Sequence, residues 1–196
     1  MKPCLLVIDL INEIIHENGK APSCHAFVKE HHVLEHANKA IKLSREANIP
    51  IIYVTVGFSS EYHGVPKSSP VFSGAPSKNA FKLGEWGTAL HDELDYKPSD
   101  AVIIKHRISP FYATALEAYL RAQHIDTLIL SGVSTNNAIQ AAARDGHDRD
   151  YKVIILEDAC GAKNIQTHKN TLELLKDFSE IIKVEDLPKV LHDHQK

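Results

Sequence analysis

The chain has 196 residues, 43% of them hydrophobic, which is enough to bury one substantial core within the usual size of a single domain. Its 22 Lys plus Arg against 25 Asp plus Glu leave a formal charge of -3, so no broad basic field exists for nucleic acid or an anionic membrane, and small molecules are the expected partners. Cys4, Cys24 and Cys160 are odd in number and form no C-x-x-C pair, which argues against a disulfide framework and for a cytoplasmic setting.

The opening MKPCLLVIDL carries one Lys and a short apolar run closed by an acid, with no cleavage-type tail. It reads as a strand, Cys4 to Asp9, and not as a signal peptide or membrane span. Helical periodicity runs from Val28 to Ala47, and a second strand from Ile51 to Val56. From Gly57 to Asp100 the chain is rich in Gly, Pro and Ser and too long for a plain crossover. Such a stretch is expected to be a surface excursion or pocket cover, with a turn of helix near Thr88 to Leu94 and the only Trp, Trp86. Then follow a strand Ala101 to Lys105, a helix Ala113 to Gln123, a strand Thr127 to Ser131 and a helix Thr135 to Asp150. A strand Lys152 to Leu156, a helix Thr167 to Phe178, a strand Glu180 to Val184 and a frayed tail, LHDHQK, complete the chain.

The strand runs are β-branched and almost continuously apolar, which suits strands buried on both faces, and parallel connections need crossovers. The expectation is one α/β domain over residues 1–196, doubly wound, with a six-stranded mainly parallel sheet and helices on both faces. Pattern alone leaves the strand order open. Ligands of such sheets bind beyond the carboxyl ends of the strands, where the order reverses.

Two charges stand at those ends. Asp9 closes the first apolar run and Lys105 the third. A partly desolvated carboxylate can be tuned for proton transfer, and a Lys beside it can hold it ionised or stabilise charge developing on a substrate; solvated strand-end charges are the competing reading. After the fourth strand, Gly132 to Ala138 (GVSTNNA) leads into a helix. A tight turn at a helix N-terminus presents free backbone N–H groups to an oxyanion, although Ser134 or Thr135 as a plain cap explains the same residues. His32 and His36 stand four apart in HHVLEH, a spacing open to Zn but on a polar face with no third ligand in view. His63, His91, His106 and His147 are unassigned, His106 being notable for its place beside Lys105.

IDLINEI, followed by VIIKHRISPFYATALEAYLRAQHIDTLILSGVSTNNAIQAAARDGHDRDYKVIILEDAC, resembles the isochorismatase-like hydrolases, also called the cysteine hydrolase family, over nearly the whole chain. The family's Asp closing the first strand, its Lys closing the third with R-x-S-x-F after it, and its G-[VI]-x-T-x-x-C turn fall on Asp9, Lys105 and Gly132 to Ala138. GEWGTALHDEL, Gly84 to Leu94, also resembles a family loop. The resemblance implies a Rossmann-like three-layer fold and a catalytic set of Asp9, Lys105 and residue 138. It further implies oxyanion donors at the Ser134 and Ala138 amides and a cis Val133-Ser134 peptide. Asn12, Trp86, Phe111, Tyr112, Thr135 and Asn137 are the implied pocket residues, and a homodimer or higher homo-oligomer is the implied assembly.

The chain departs from the family at the nucleophile, where Ala138 has no nucleophilic atom, so acyl-enzyme chemistry through residue 138 is excluded. The family's D-x-Q becomes Asp9-Leu10-Ile11, with Asn12 next, and GFSSEYHG after Val56 lacks the metal-binding D-x-H of nicotinamidases, so no metal and no cofactor are expected. Three functions stay open. The first is a cysteine-free hydrolase of a small carbonyl- or carboxyl-bearing molecule, using Asp9 and Lys105. The second is an amidase-type cysteine hydrolase whose Cys was replaced by Ala138. The third is a catalytically silent small-molecule binding protein.

Overall fold

The computed structural model describes residues 1–192. Strands β1 (Pro3–Ile8), β2 (Ile51–Val56), β3 (Ala101–Lys105), β4 (Thr127–Val133), β5 (Lys152–Gly161) and β6 (Glu180–Ile182) form one sheet in the order β3-β2-β1-β4-β5-β6, and every neighbouring pair is parallel. The chain fills one half of the sheet outward from β1, then returns to β4 on the other side of β1 and fills the second half. The order therefore reverses between β1 and β4, so the ligand crevice belongs at their carboxyl ends.

Alternate residues of the buried strands feed two cores. On one face Leu5, Val7, Tyr53, Ile129 and Ile154 pack under α2 (His25–Glu30), α3 (Val33–Glu46) and the C-terminal helix Leu187–His192. On the other, Leu6, Ile8, Val54, Leu128 and Leu130 pack under helices Leu116–Ala122, Gln140–His147 and Ile165–Leu175. This is the doubly wound α/β fold, with helices on both faces. No helix among the described residues is long and apolar enough to cross a membrane.

Several boundaries differ from expectation for local reasons. The helix expected over Val28 to Ala47 is two, α2 and α3, because His32 adopts a left-handed conformation, φ 53°, between them. The helix expected from Ala113 begins at Leu116, after Ala113 itself turns left-handed, φ 52°. The one expected from Thr167 begins at Ile165, because the Asn164 side chain accepts from the Thr167 N–H at 2.8 Å and caps it. Thr135–Ile139 is a π-helical turn before the helix of Gln140–His147, which stops short of Asp150. Strand β5 runs on to Gly161, beyond Leu156, while β6 stops at Ile182. In the supposed tail, Leu191 is buried in the core and His192 closes a helix; residues 193–196 of that expectation lie outside the described residues.

The 57–100 excursion has no helix over Thr88 to Leu94. It carries instead a 3-10 turn, Trp86–Thr88, and a short helix, Ala75–Lys78, and builds a small core of its own from Phe58, Val65, Phe72, Ala80 and Phe81 with Ile11 and Val56. That core holds the excursion over the carboxyl ends of β1 and β2.

Candidate active site

Asp9 leaves β1 in a left-handed conformation, φ 56°, with its N–H bonded to the Val54 carbonyl at 2.8 Å. This turns the side chain toward the end of β3. There Lys105 Nζ lies 2.8 Å from Asp9 Oδ2 and 3.2 Å from the Arg107 carbonyl, with the Lys105 side chain 1% and the Asp9 side chain 5% exposed. The other carboxylate oxygen, Oδ1, is buried without a hydrogen-bond partner in the protein. Burial raises the Asp9 carboxyl above its ordinary range, and the Lys105 charge opposes that rise.

Gly132 brings the third part of the site against this pair. It sits opposite Ile8 at φ 122°, and a Cβ there would lie 1.9 Å from the Ile8 carbonyl oxygen, so only glycine lets β4 approach β1 this closely. The chain then passes through a cis Val133-Ser134 peptide into the 135–139 turn. Among the described residues the Ser134 N–H has no backbone acceptor. Ser134, Asn137 and Ala138 share with Asp9 and Lys105 the lining of one cavity of about 470 Å³. Its walls are apolar, from Ile14, Val56, Phe72, Phe81 and Ile108, and its rim carries Lys20 and Lys78.

The short helix α1 (Asn12–Ile15) that follows Asp9 hangs the roof of this cavity. Asn12 donates its side-chain N–H to the Trp86 carbonyl at 3.0 Å, and the buried Glu13 carboxylate accepts from the Lys20 N–H at 3.1 Å. Glu13 also packs so tightly on Gly87 that a Cβ at residue 87 would sit 1.7 Å from its Oε2.

Five residues marked from sequence as pocket-lining do not line it. Asn12 is buried and spends its side chain on Trp86. Trp86 is 47% exposed and packs edge-on against His16 at 4.9 Å, outside the cavity. Phe111 lies in the opposite core, stacked on Tyr151, because the Ser109 hydroxyl bonds Asp145 and the Phe111 N–H and folds the R-x-S-x-F segment inward. Tyr112 is 62% exposed. Thr135 is wholly buried and faces the helix Ile165–Leu175, 2.8 Å from His168 Nδ1. Cavity residues not picked out from sequence, among them Ile14, Lys20, Phe72, Lys78, Phe81 and Ile108, mostly come from segments without periodicity.

The other candidates lie away from the cavity. His106 is exposed and bonds the Gly57 carbonyl at 2.6 Å. His32 pairs with Glu35 at 3.2 Å, while His36 lies 3.9 Å from Asp158. Among the described residues no group of three His, Cys, Asp or Glu is arranged to hold a metal ion. Cys4, Cys24 and Cys160 are free and buried, and burial pushes their thiols up, Cys24 to about 11 and Cys4 to about 12, which makes poor nucleophiles.

His168 supports the turn through Thr135, and burial first, then the nearby His31 and Lys169, lower it to about 4 from the ordinary 6.5. A neutral native imidazole cannot take the proton that the unfolded chain accepts near 6.5. The stability it contributes is therefore complete above about pH 6.5 and lost as pH falls toward 4. Thermal unfolding midpoints measured across pH 6.5 to 4 should fall less steeply for His168→Gln than for the native chain; parallel curves would remove His168 from the acid sensitivity.

Known proteins resemble the chain in sequence and in structure. The isochorismatase domain matches residues 3–186. The isochorismatase family protein YecD of Escherichia coli O157:H7 is 31% identical over 188 residues, 96% of this chain and 94% of YecD. Ureidoacrylate amidohydrolase RutB of Acinetobacter baylyi is 33% identical over 162 residues, which is 74% of this chain and 65% of RutB. Among solved structures, N-carbamoylsarcosine amidase of Thermoplasma acidophilum superposes with a TM-score of 0.74 at 28% identity, over 94% of this chain and 97% of that one. An isochorismatase family protein of Desulfovibrio vulgaris superposes with a TM-score of 0.86 over 97% of this chain and 98% of its own; at 20% identity it bears on the fold alone.

Proposed function

The chain belongs to the isochorismatase family of hydrolases, and we propose on that premise that it hydrolyses a small carbonyl- or carboxyl-bearing molecule without a covalent intermediate, through Asp9 and Lys105. One observation carries the reading: the buried Asp9–Lys105 pair leaves Asp9 Oδ1 without a protein partner, on a cavity that also reaches the Ser134 to Ala138 turn. A carboxylate held there, its affinity for protons raised by burial, is suited to general acid–base work.

For an amide, Asp9 takes a proton from water as the water oxygen adds to the carbonyl carbon. The oxyanion is stabilised by Lys105 and the Ser134 and Ala138 amides. The C–N bond then breaks, Asp9 returns the proton to the departing nitrogen, and acid and amine leave. For an enol ether, protonated Asp9 delivers its proton to the vinyl carbon, water adds to the resulting oxocarbenium ion and gives a proton back to Asp9, and the hemiketal collapses with cleavage of its C–O bond to a ketone and an alcohol. In both schemes the Ala138 side chain is a passive wall.

A second reading is favoured by the amidase relatives: Ala138 occupies the place of a cysteine nucleophile, and the parent chemistry is amide hydrolysis through a thiolate. Ala138→Cys tests the two together. A thiol at the start of this helical turn, near Lys105, is expected to have a lowered pKa and to be alkylated faster than Cys4, Cys24 and Cys160. Under the cysteine-free reading the native chain turns over its substrate and the new sulfur, crowding the space of water, lowers the rate. Under the second reading the native chain is inactive on amides, and the variant acquires turnover with a transient acyl adduct visible by intact mass. Inactivity of both chains on amides and enol ethers would sink both readings and leave a silent binding protein.

A further inference from the structure

The charges around the cavity are unbalanced in a way that the chemistry at its floor does not use. Its charged lining residues are Asp9, Lys20, Lys78 and Lys105, three cations to one anion, in a chain whose formal charge is -3. Asp9 and Lys105 answer each other at 2.8 Å. Lys20 and Lys78 are exposed, which sets them at the rim, whereas Asp9 and Lys105 are buried; Ile14, Val56, Phe72, Phe81 and Ile108 give the same cavity an apolar belt.

The two rim lysines are not equivalent. Lys20 Nζ donates to the Asn79 carbonyl at 2.5 Å and lies 3.8 Å from a Glu85 carboxylate, so its charge is partly answered within the protein. Its bond to Asn79, which is left-handed at φ 52°, clasps the residue next to Lys78 and so fixes the backbone that carries the second lysine. Lys78 itself lines the cavity, is exposed, and makes no ion pair with any described residue. A solvated lysine on an open surface would need no explanation. One held at the mouth of an apolar cavity, with its own backbone clasped, faces whatever enters.

Resting on the hydrolase reading above, we infer that the substrate is an anion at one end: a reacting carbonyl group meets Asp9, Lys105 and the Ser134 turn, an apolar spacer crosses the belt, and a terminal carboxylate is read by Lys78, with Lys20 beside it. A neutral substrate of the same length would fill the belt but leave the rim cations facing only water. The same field should draw anionic substrates into the mouth and repel cationic ones, an effect that salt weakens.

The test uses the full chain and two probe pairs, succinamate against butanamide and glutaramate against pentanamide, each pair sharing the amide and differing at the far end. Affinities are measured by calorimetry and hydrolysis by ammonia release. The carboxylates should bind at least about tenfold more tightly than the neutral amides, and the ratio should shrink between 0.05 and 0.5 M salt. Lys78→Gln should bring the ratio to within about threefold, Lys78→Arg should retain it and Lys20→Gln should reduce it in part, with unfolding midpoints recorded to show that each variant folds. A native chain that binds both members equally, or neither, or a ratio that survives Lys78→Gln, overturns the inference. The hydrolase reading fails separately: carboxylate-selective, Lys78-dependent binding without ammonia release counts against hydrolysis and supports the anion site, whereas release from neutral amides without selectivity does the reverse.

Discussion

Asp9→Asn is expected to lower turnover by about a thousandfold and to destabilise the protein by about 3 kcal/mol. The kinetic loss follows because an amide neither takes nor returns a proton as a carboxyl does. The loss of stability follows from burial: the Lys105 side chain is 1% exposed, and without the Asp9 carboxylate its charge faces neutral acceptors such as the Arg107 carbonyl and no counter-charge. Stripping one partner from a buried pair costs more than the pair contributes. The double variant Asp9→Asn with Lys105→Met removes the stranded charge and should recover most of the lost stability while staying inactive. Urea denaturation and rate measurements on the three proteins separate the roles. If the double variant is no more stable than Asp9→Asn alone, the pair is not the source of the cost; if Asp9→Asn keeps native turnover, Asp9 is not the acid–base group.

The same residues show what was legible in the amino-acid sequence. Asp9 and Lys105 stand out because each is a charge closing a run of buried β-branched residues, and β1 and β3 run in the same direction, so their carboxyl ends share one edge of the sheet. Turn residues such as Gly132 to Ala138 were legible for a similar reason, since a glycine between a strand and a helix marks a crossing that few other residues make.

Side-chain direction within turns was not legible. Thr135 and Asn137 are two apart in one segment, yet the π-helical turn sends Thr135 toward His168 and keeps Asn137 in the cavity. Phe111 follows the motif that carries Lys105 and still lies in the other core, because the Ser109–Asp145 hydrogen bond bends the chain first. The rim and wall were harder still. Phe72, Lys78 and Phe81 belong to an excursion whose order comes from its own apolar cluster and from contacts to α1, with neither a period of 2 nor of 3.6 to announce them. Asn12 stands out in the sequence as a polar residue near Asp9, but its task is tertiary: it ties α1 to Trp86, 74 residues away.

Gly132→Ala should be among the most damaging single changes that leave every cavity-lining side chain in place. The added Cβ would meet the Ile8 carbonyl oxygen at 1.9 Å and the Ile8 carbon at 2.8 Å, both main-chain atoms in the middle of the sheet, and no side-chain rotation relieves that contact. Residue 132 also sits at φ 122°, outside the left-handed helical region that other residues tolerate. Relief requires β4 to move away from β1 at their Ile8 and Gly132 pairing, where the strand order reverses and where Asp9 and the 134–138 turn diverge from the sheet. A loss of about 3–5 kcal/mol, on the scale of a severe core defect, is expected, together with poor soluble yield. Gly146→Ala is the control. Its Cβ would meet the flexible Leu128 Cδ1 at 3.0 Å and Val153 Cγ2 at 3.3 Å, and Gly146 lies within the helix Gln140–His147, where alanine gains up to about 1 kcal/mol of helix propensity to offset the crowding. The two variants should therefore differ by several kcal/mol in urea denaturation. Comparable stabilities would mean that β1 and β4 can part without cost, and the tight junction that brings Ala138 beside Asp9 and Lys105 would not then be what builds the site.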